Sequence, residues 1–171
     1  MMENDQLHPP AAPVRPTFLT VLCILTFIGS GWSILNNIST YRQADTAASV
    51  VSTALDSATS QIELQGADEP GAEIANKMLA GARELSDPVK IKKNALFGLM
   101  AAVITLGGAF LMFQLNKKGF WLYVFGTGIT VVAPFLVFGM ANFIGVLMGA
   151  VSGFIGIIFC VLYAMNLKHM S

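Results

Sequence analysis

Charged residues are absent from three long stretches of the chain, 16–41, 94–116 and 119–167, and crowd into the segments around them. A helix needs about 20 apolar residues to cross the roughly 30 Å hydrocarbon core of a bilayer, so each of the first two stretches predicts one span. The third runs to about 49 residues, or roughly 73 Å as a helix, and must turn back on itself. Gly139-Met140-Ala141-Asn142 is the natural turn, with Asn142 placed to cap the returning helix. The pattern therefore predicts transmembrane helices over 17–38, 94–115, 119–139 and 143–167. None of these runs alternates, and an open strand would leave its backbone groups unpaired in lipid. The expected fold class is an all-α integral membrane protein.

Between the first two spans, 39–93 predicts an extramembrane loop with two amphipathic helices. Residues 41–64 set Ala47, Val51, Ala54, Leu55, Ala58 and Ile62 at helical spacing, and 72–85 do the same with Ile74, Ala75, Met78, Leu79, Ala82 and Leu85. The run 66–71 breaks the chain between them, and Ser86-Asp87-Pro88 reads as a helix start. The loop is then a helical hairpin continuous with the first two spans. The segment 1–16, with four prolines, is expected to be a mobile tail. The apolar run from Phe18 is too long for an ordinary signal peptide, and no A-x-A-like site closely follows it, so it predicts an uncleaved span.

Composition agrees with this pattern. Apolar residues make up 54% of the chain and charged residues 12%, against about 25% charged in soluble domains. Ten basic and ten acidic side chains cancel, which removes the electrostatic reason to expect nucleic acid as a partner. Arg15, Lys117, Lys118 and Lys168 lie on short segments at one side, and the remaining six basic residues, Arg42, Lys77, Arg83, Lys90, Lys92 and Lys93, all lie in the long loop. Short segments weigh more in orienting a membrane protein, so both termini are expected in the cytoplasm. Trp32, Tyr41, Trp121, Tyr123 and Tyr163 suit the aromatic belts at the two interfaces. Lys90, Lys92 and Lys93 would meet anionic headgroups if the loop were cytoplasmic.

Small residues form faces inside the membrane, where close backbone approach replaces the hydrophobic effect as the reason helices pair. In the fourth span Gly145, Gly149, Ser152, Gly153, Gly156 and Cys160 share one side. Gly98, Ala101, Ala102, Thr105, Gly108 and Ala109 do so in the second, and Cys23, Thr26, Ser30, Ser33 and Asn37 in the first. These stripes are the expected helix-packing faces. Pro134 predicts a kink in the third span. Cys23 and Cys160 fall at matching depths, and they should lie close if the first and fourth spans are neighbours.

Catalytic chemistry is missing from the pattern. No ionisable residue other than Cys and Tyr lies in a span, His8 and His169 stand near the two ends, and the loop has carboxylates without His or Cys. No catalytic, cofactor or metal site is expected. The opening Arg15-Pro16-Thr17-Phe18-Leu19-Thr20-Val21-Leu22-Cys23-Ile24-Leu25-Thr26-Phe27-Ile28-Gly29-Ser30-Gly31-Trp32 resembles a group of bacterial four-span inner-membrane proteins of no assigned activity. Lys117-Lys118-Gly119-Phe120-Trp121-Leu122-Tyr123 and Tyr163-Ala164-Met165-Asn166-Leu167-Lys168 resemble the same group. The resemblance implies the inner membrane and supplies no functional residue.

Two readings of function follow. The first is an accessory or scaffold subunit that holds a membrane-protein partner, or another copy of itself, through the glycine face or through Val51, Leu55 and Met78 of the hairpin. The alternative is a small oligomeric channel or carrier for a neutral solute, with Thr127, Thr130 and Ser152 lining the path and Gly149 essential to its packing.

Overall fold

Helices make up nearly all of the computed structural model, which describes residues 16–65, 71–140 and 142–170, and no strand occurs among them. The expected mobile tail, apart from Pro16, and most of the expected break after Gln65 lie outside the described residues. The helices are α1 (Thr17–Gln65), α2 (Ala72–Leu85), α3 (Pro88–Phe113), α4 (Lys118–Phe138) and α5 (Phe143–Ala164), followed by a short 3-10 turn at Leu167–His169. Helices α1, α3, α4 and α5 are long and apolar enough to cross a membrane. The chain is an all-α, four-span protein.

Helix α1 runs unbroken for 49 residues, about 73 Å at 1.5 Å per residue. That is more than twice the hydrocarbon thickness, so the part beyond Arg42 and Asp45 projects from the bilayer. Helix α3 likewise starts outside the apolar stretch. Asp87 accepts from the amides of Val89 (2.8 Å) and Lys90 (3.4 Å), and Pro88 supplies the first turn, where its missing N–H is harmless.

The packing order does not follow a closed ring. Helix α3 sits between α1 and α4, and α5 packs on α4. Helices α1 and α5 touch at one end, where Thr26 Oγ1 and Tyr163 Oη share a 2.7 Å hydrogen bond. A buried cluster of Leu19, Leu22, Cys23, Met112, Leu115, Tyr123, Tyr163 and Met170 gathers the start of α1, the end of α3 and the chain's C-terminal turn there. Cys160 packs against this cluster, so both cysteines border the same core.

The α3–α4 connection is very short. Leu115 takes φ 64°, a left-handed conformation usually reserved for glycine. Its amide donates to Met112 O (2.9 Å) and that of Asn116 to Leu111 O (3.0 Å), closing the end of α3. The conformation costs about 1–2 kcal/mol, offset by burial of the leucine side chain in the cluster. This turn brings α3 and α4 together backbone to backbone: a Cβ on Gly108 would lie 2.7 Å from Tyr123 N and 2.8 Å from Gly119 O. One on Gly119 would lie 2.5 Å from Gly108 O and 2.6 Å from Met112 N.

Candidate functional site

The hairpin is built from an α1 stripe with seven-residue periodicity. Ala44 and Ala48 are buried, Leu55, Ala58 and Ile62 are half-buried, and Val51 between them is exposed. Helix α2 packs against α1 and α5, with Ala75, Leu79, Ala82 and Leu85 half-buried, while Ile74 and Met78 at the edge of its stripe stay exposed. Polar ties fix the arrangement. Arg83 Nη2 donates to Asp56 Oδ1 (2.9 Å) and Thr59 Oγ1 (3.1 Å), joining α2 to α1. Lys92 pairs with Asp45 (2.7 Å), and Lys90 with Glu84. Pairs this exposed add little stability; their value is in setting register. Lys90 and Lys92 are thus committed to carboxylates, and of the basic cluster Lys93 remains exposed.

Asn142 latches the hairpin to the membrane bundle. Its Oδ1 accepts from the Gly145 amide (3.1 Å), capping α5. Its Nδ2 donates to Gly81 O (3.1 Å) and Glu84 Oε2 (3.3 Å) on α2. One side chain, 3% exposed, therefore starts a span and anchors the extramembrane helix. The Lys90 ammonium hydrogen-bonded to Glu84 holds that carboxyl below its ordinary value, with the Asn142 amide adding to the effect.

Because α5 leaves α1 beyond the Thr26–Tyr163 contact, a crevice opens between them, floored by α3 and α4. Its part nearer the termini, about 300 Å3, is lined by Thr26, Ser30, Thr105, Thr127, Thr130 and Ser152 together with Leu25, Ile155 and Phe159. Its part nearer the hairpin, about 220 Å3, shares Thr130 and Ser152 and adds Ser33, Asn37 and Asn94, with Pro134 in the wall. Ser30 Oγ and Thr105 Oγ1 lie 3.3 Å apart, joining α1 to α3. Asn37 Nδ2 donates to Ser33 O (2.7 Å) and packs on Gly98.

The expected packing residues fall in several places. Gly98 faces Asn37 on α1, and Ala102 is buried within α3. Gly108 faces α4, so the small face of α3 is divided between two neighbours. On α5, Gly149 meets the Phe135 ring and Val131, Gly153 meets Val131, Gly156 meets Thr127, and Gly145 meets Phe138 and Asn142. Their closest α4 contacts are side-chain atoms, with the Val131 carbonyl 3.6 Å from a Cβ on Gly149. The tightest seam uses Gly119 and Gly126, which no sequence face included, although Gly119, Gly126 and Ala133 recur every seven residues along α4. Two of the three tyrosines depart from the belt expectation, while Tyr41 is exposed. Tyr123 and Tyr163 are buried with ring centroids 4.9 Å apart, because Thr26 offers the second phenol a partner inside the bundle. Trp32 and Trp121 are exposed, as residues facing lipid would be.

The charge-free helices define a multi-pass membrane protein. No family model, no curated protein and no solved structure matches the chain. Among the described residues, no group of three or more His, Cys, Asp or Glu is placed to hold a metal ion.

Proposed function

We propose that the chain is a non-enzymatic accessory or scaffold subunit whose hairpin holds a membrane-protein partner. The observation that supports this reading is the set of large apolar side chains left uncovered outside the spans: Val50 and Val51 on α1, and Ile74 and Met78 on α2. Lipid covers exposed apolar side chains within a span but not on a projecting hairpin, where such side chains suit a protein surface. Leu55, one turn beyond Val51 along the same α1 stripe, is half-buried. The α5 glycines receive α4 side chains, which supports the hairpin over the glycine face as the partner surface. The membrane in this reading is a bacterial inner membrane, with both termini and the Lys117–Lys118 turn in the cytoplasm.

Replacing Val51→Asp and Met78→Glu together tests the proposal. Both positions are exposed, so the isolated chain should keep its stability within about 0.5 kcal/mol per substitution. The partner recovered in mild detergent should fall at least tenfold, the effect of an interface loss of about 1.4 kcal/mol or more. Full recovery would refute the hairpin as the binding surface. The uncharged crevice favours a second reading, a carrier for a neutral solute, and solute flux through liposomes holding this protein alone would replace the first reading with it.

A further inference from the structure

We propose that the crevice between α1 and α5 binds the uncharged headgroup of a diacylglycerol-like lipid, which enters sideways from the bilayer. This inference stands independently of the hairpin's partner.

The lining selects against charge. Hydroxyls and amides from four helices converge on it, and among the described residues no acidic or basic side chain does. A phosphate or ammonium brought there would lose its hydration with no counter-charge to meet it. A neutral headgroup with hydroxyl and ester oxygens finds donors and acceptors at its own scale. Asn94 and Ser152 line the crevice without a side-chain hydrogen bond to another described protein group. In a bilayer such groups call for a polar occupant.

The openings select a lipid over a water-borne polyol. At one end the Leu19, Tyr123, Tyr163 and Met170 cluster shuts the bundle. At the other, Leu85 and Phe138 line the wall and Asn142 holds α2 across the α4–α5 turn. The flank is different. Leu25 and Gly29 on α1 and Ser152 and Ile155 on α5 are all exposed, leaving a mouth that faces the hydrocarbon. Its apolar lips at Leu25 and Ile155 suit acyl chains, and the hydroxyls behind them suit a headgroup. A volume of about 300 Å3 is at the lower end of ligand pockets, enough for a glycerol unit and its esters while the chains stay in the membrane.

The full-length protein in phosphatidylcholine nanodiscs, exposed to diacylglycerol bearing a photoreactive group on its acyl chain, provides the test. Phosphatidic acid with the same chains is the charged comparison. Adducts with diacylglycerol should map to 25–30 and 152–159 and exceed those with phosphatidic acid at least about tenfold. Gly29→Trp should abolish them. A Cβ at Gly29 meets nothing within 4 Å, so the indole can stand in the mouth without disturbing the fold. Gly31→Trp, also unhindered and outside the crevice, is the control and should label as the native chain does. Equal labelling by both lipids, or labelling that survives Gly29→Trp, would mean ordinary surrounding lipid and overturn the proposal. Displacement by excess free glycerol would mean a soluble polyol and overturn it as well.

Discussion

Replacing Gly119→Ala should lower the stability of the detergent-solubilised protein by about 2–3 kcal/mol, within the range for overpacked cores. For a chain of this size that corresponds to a fall in Tm of about 4–12 °C. The added methyl would stand 2.5 Å from Gly108 O and 2.6 Å from Met112 N. Those are backbone atoms of α3, and they cannot rotate aside; the two helices must separate. Gly108→Ala meets Tyr123 N at 2.7 Å and should cost as much. The effect should grade with what each methyl meets. Gly149→Ala presses on the Phe135 ring at 2.9 Å, which can tilt, and should cost less. Gly145→Ala and Gly153→Ala reach first contacts of 3.4 Å and should be near neutral. Gly128→Ala meets nothing and should gain up to about 1 kcal/mol from helix propensity. Thermal unfolding of the series measures all six, and a flat response would contradict the α3–α4 seam.

Asn142 should be the most sensitive polar position. Asn142→Ala removes the cap of α5 and two hydrogen bonds to α2, an expected loss of about 2–3 kcal/mol from a cap and two modest bonds. Asn142→Asp separates the two roles. The carboxylate can still accept from the Gly145 amide, but it turns an acceptor toward Gly81 O and repels Glu84. Hydrogen exchange should then speed up across α2 (72–85) and stay native across α5. Equal loosening of both helices would contradict the latch.

The same contact gives the hairpin a dependence on acidity. The carboxyl of Glu84 titrates below its ordinary 4.5 in the folded chain, chiefly through its hydrogen bond from Lys90. A lowered acid group contributes stability above its unfolded value, and that contribution fades as the pH falls through the folded value. Native protein should therefore converge in stability with Glu84→Gln as the pH is taken from about 7 to about 3. A gap between them that stays constant in acid would show that the ionised pair contributes nothing.

The spans were legible because charge is costly in hydrocarbon, so its absence over 16–41, 94–116 and 119–167 marks the membrane directly. Local chemistry was legible too: Asp87 and Asn142 cap the helices their positions suggested. What stayed hidden was neighbourhood. In lipid, faces that meet another helix and faces that meet acyl chains are both apolar, so periodicity does not say which helix touches which. The open spacing of α5 from α1 is therefore absent from the pattern, and with it the crevice. Thr127, Thr130 and Ser152 stood out as hydroxyls for a path between copies, yet they line a space within one chain. Tyr163 near the end of its span fits an interface or an interior equally well. Thr26, 137 residues away, decides between them. The seven-residue recurrence of Gly119, Gly126 and Ala133 is present in the sequence, but in an apolar span such a recurrence does not say which neighbour it meets.

The accessory reading is tested most directly by the mass of the complex extracted in mild detergent from cells that express the protein at native level. The expected result is this chain together with a second polypeptide at fixed stoichiometry, a complex that Val51→Asp with Met78→Glu dissolves. A homo-oligomer of this chain alone, or a bare monomer, would contradict it.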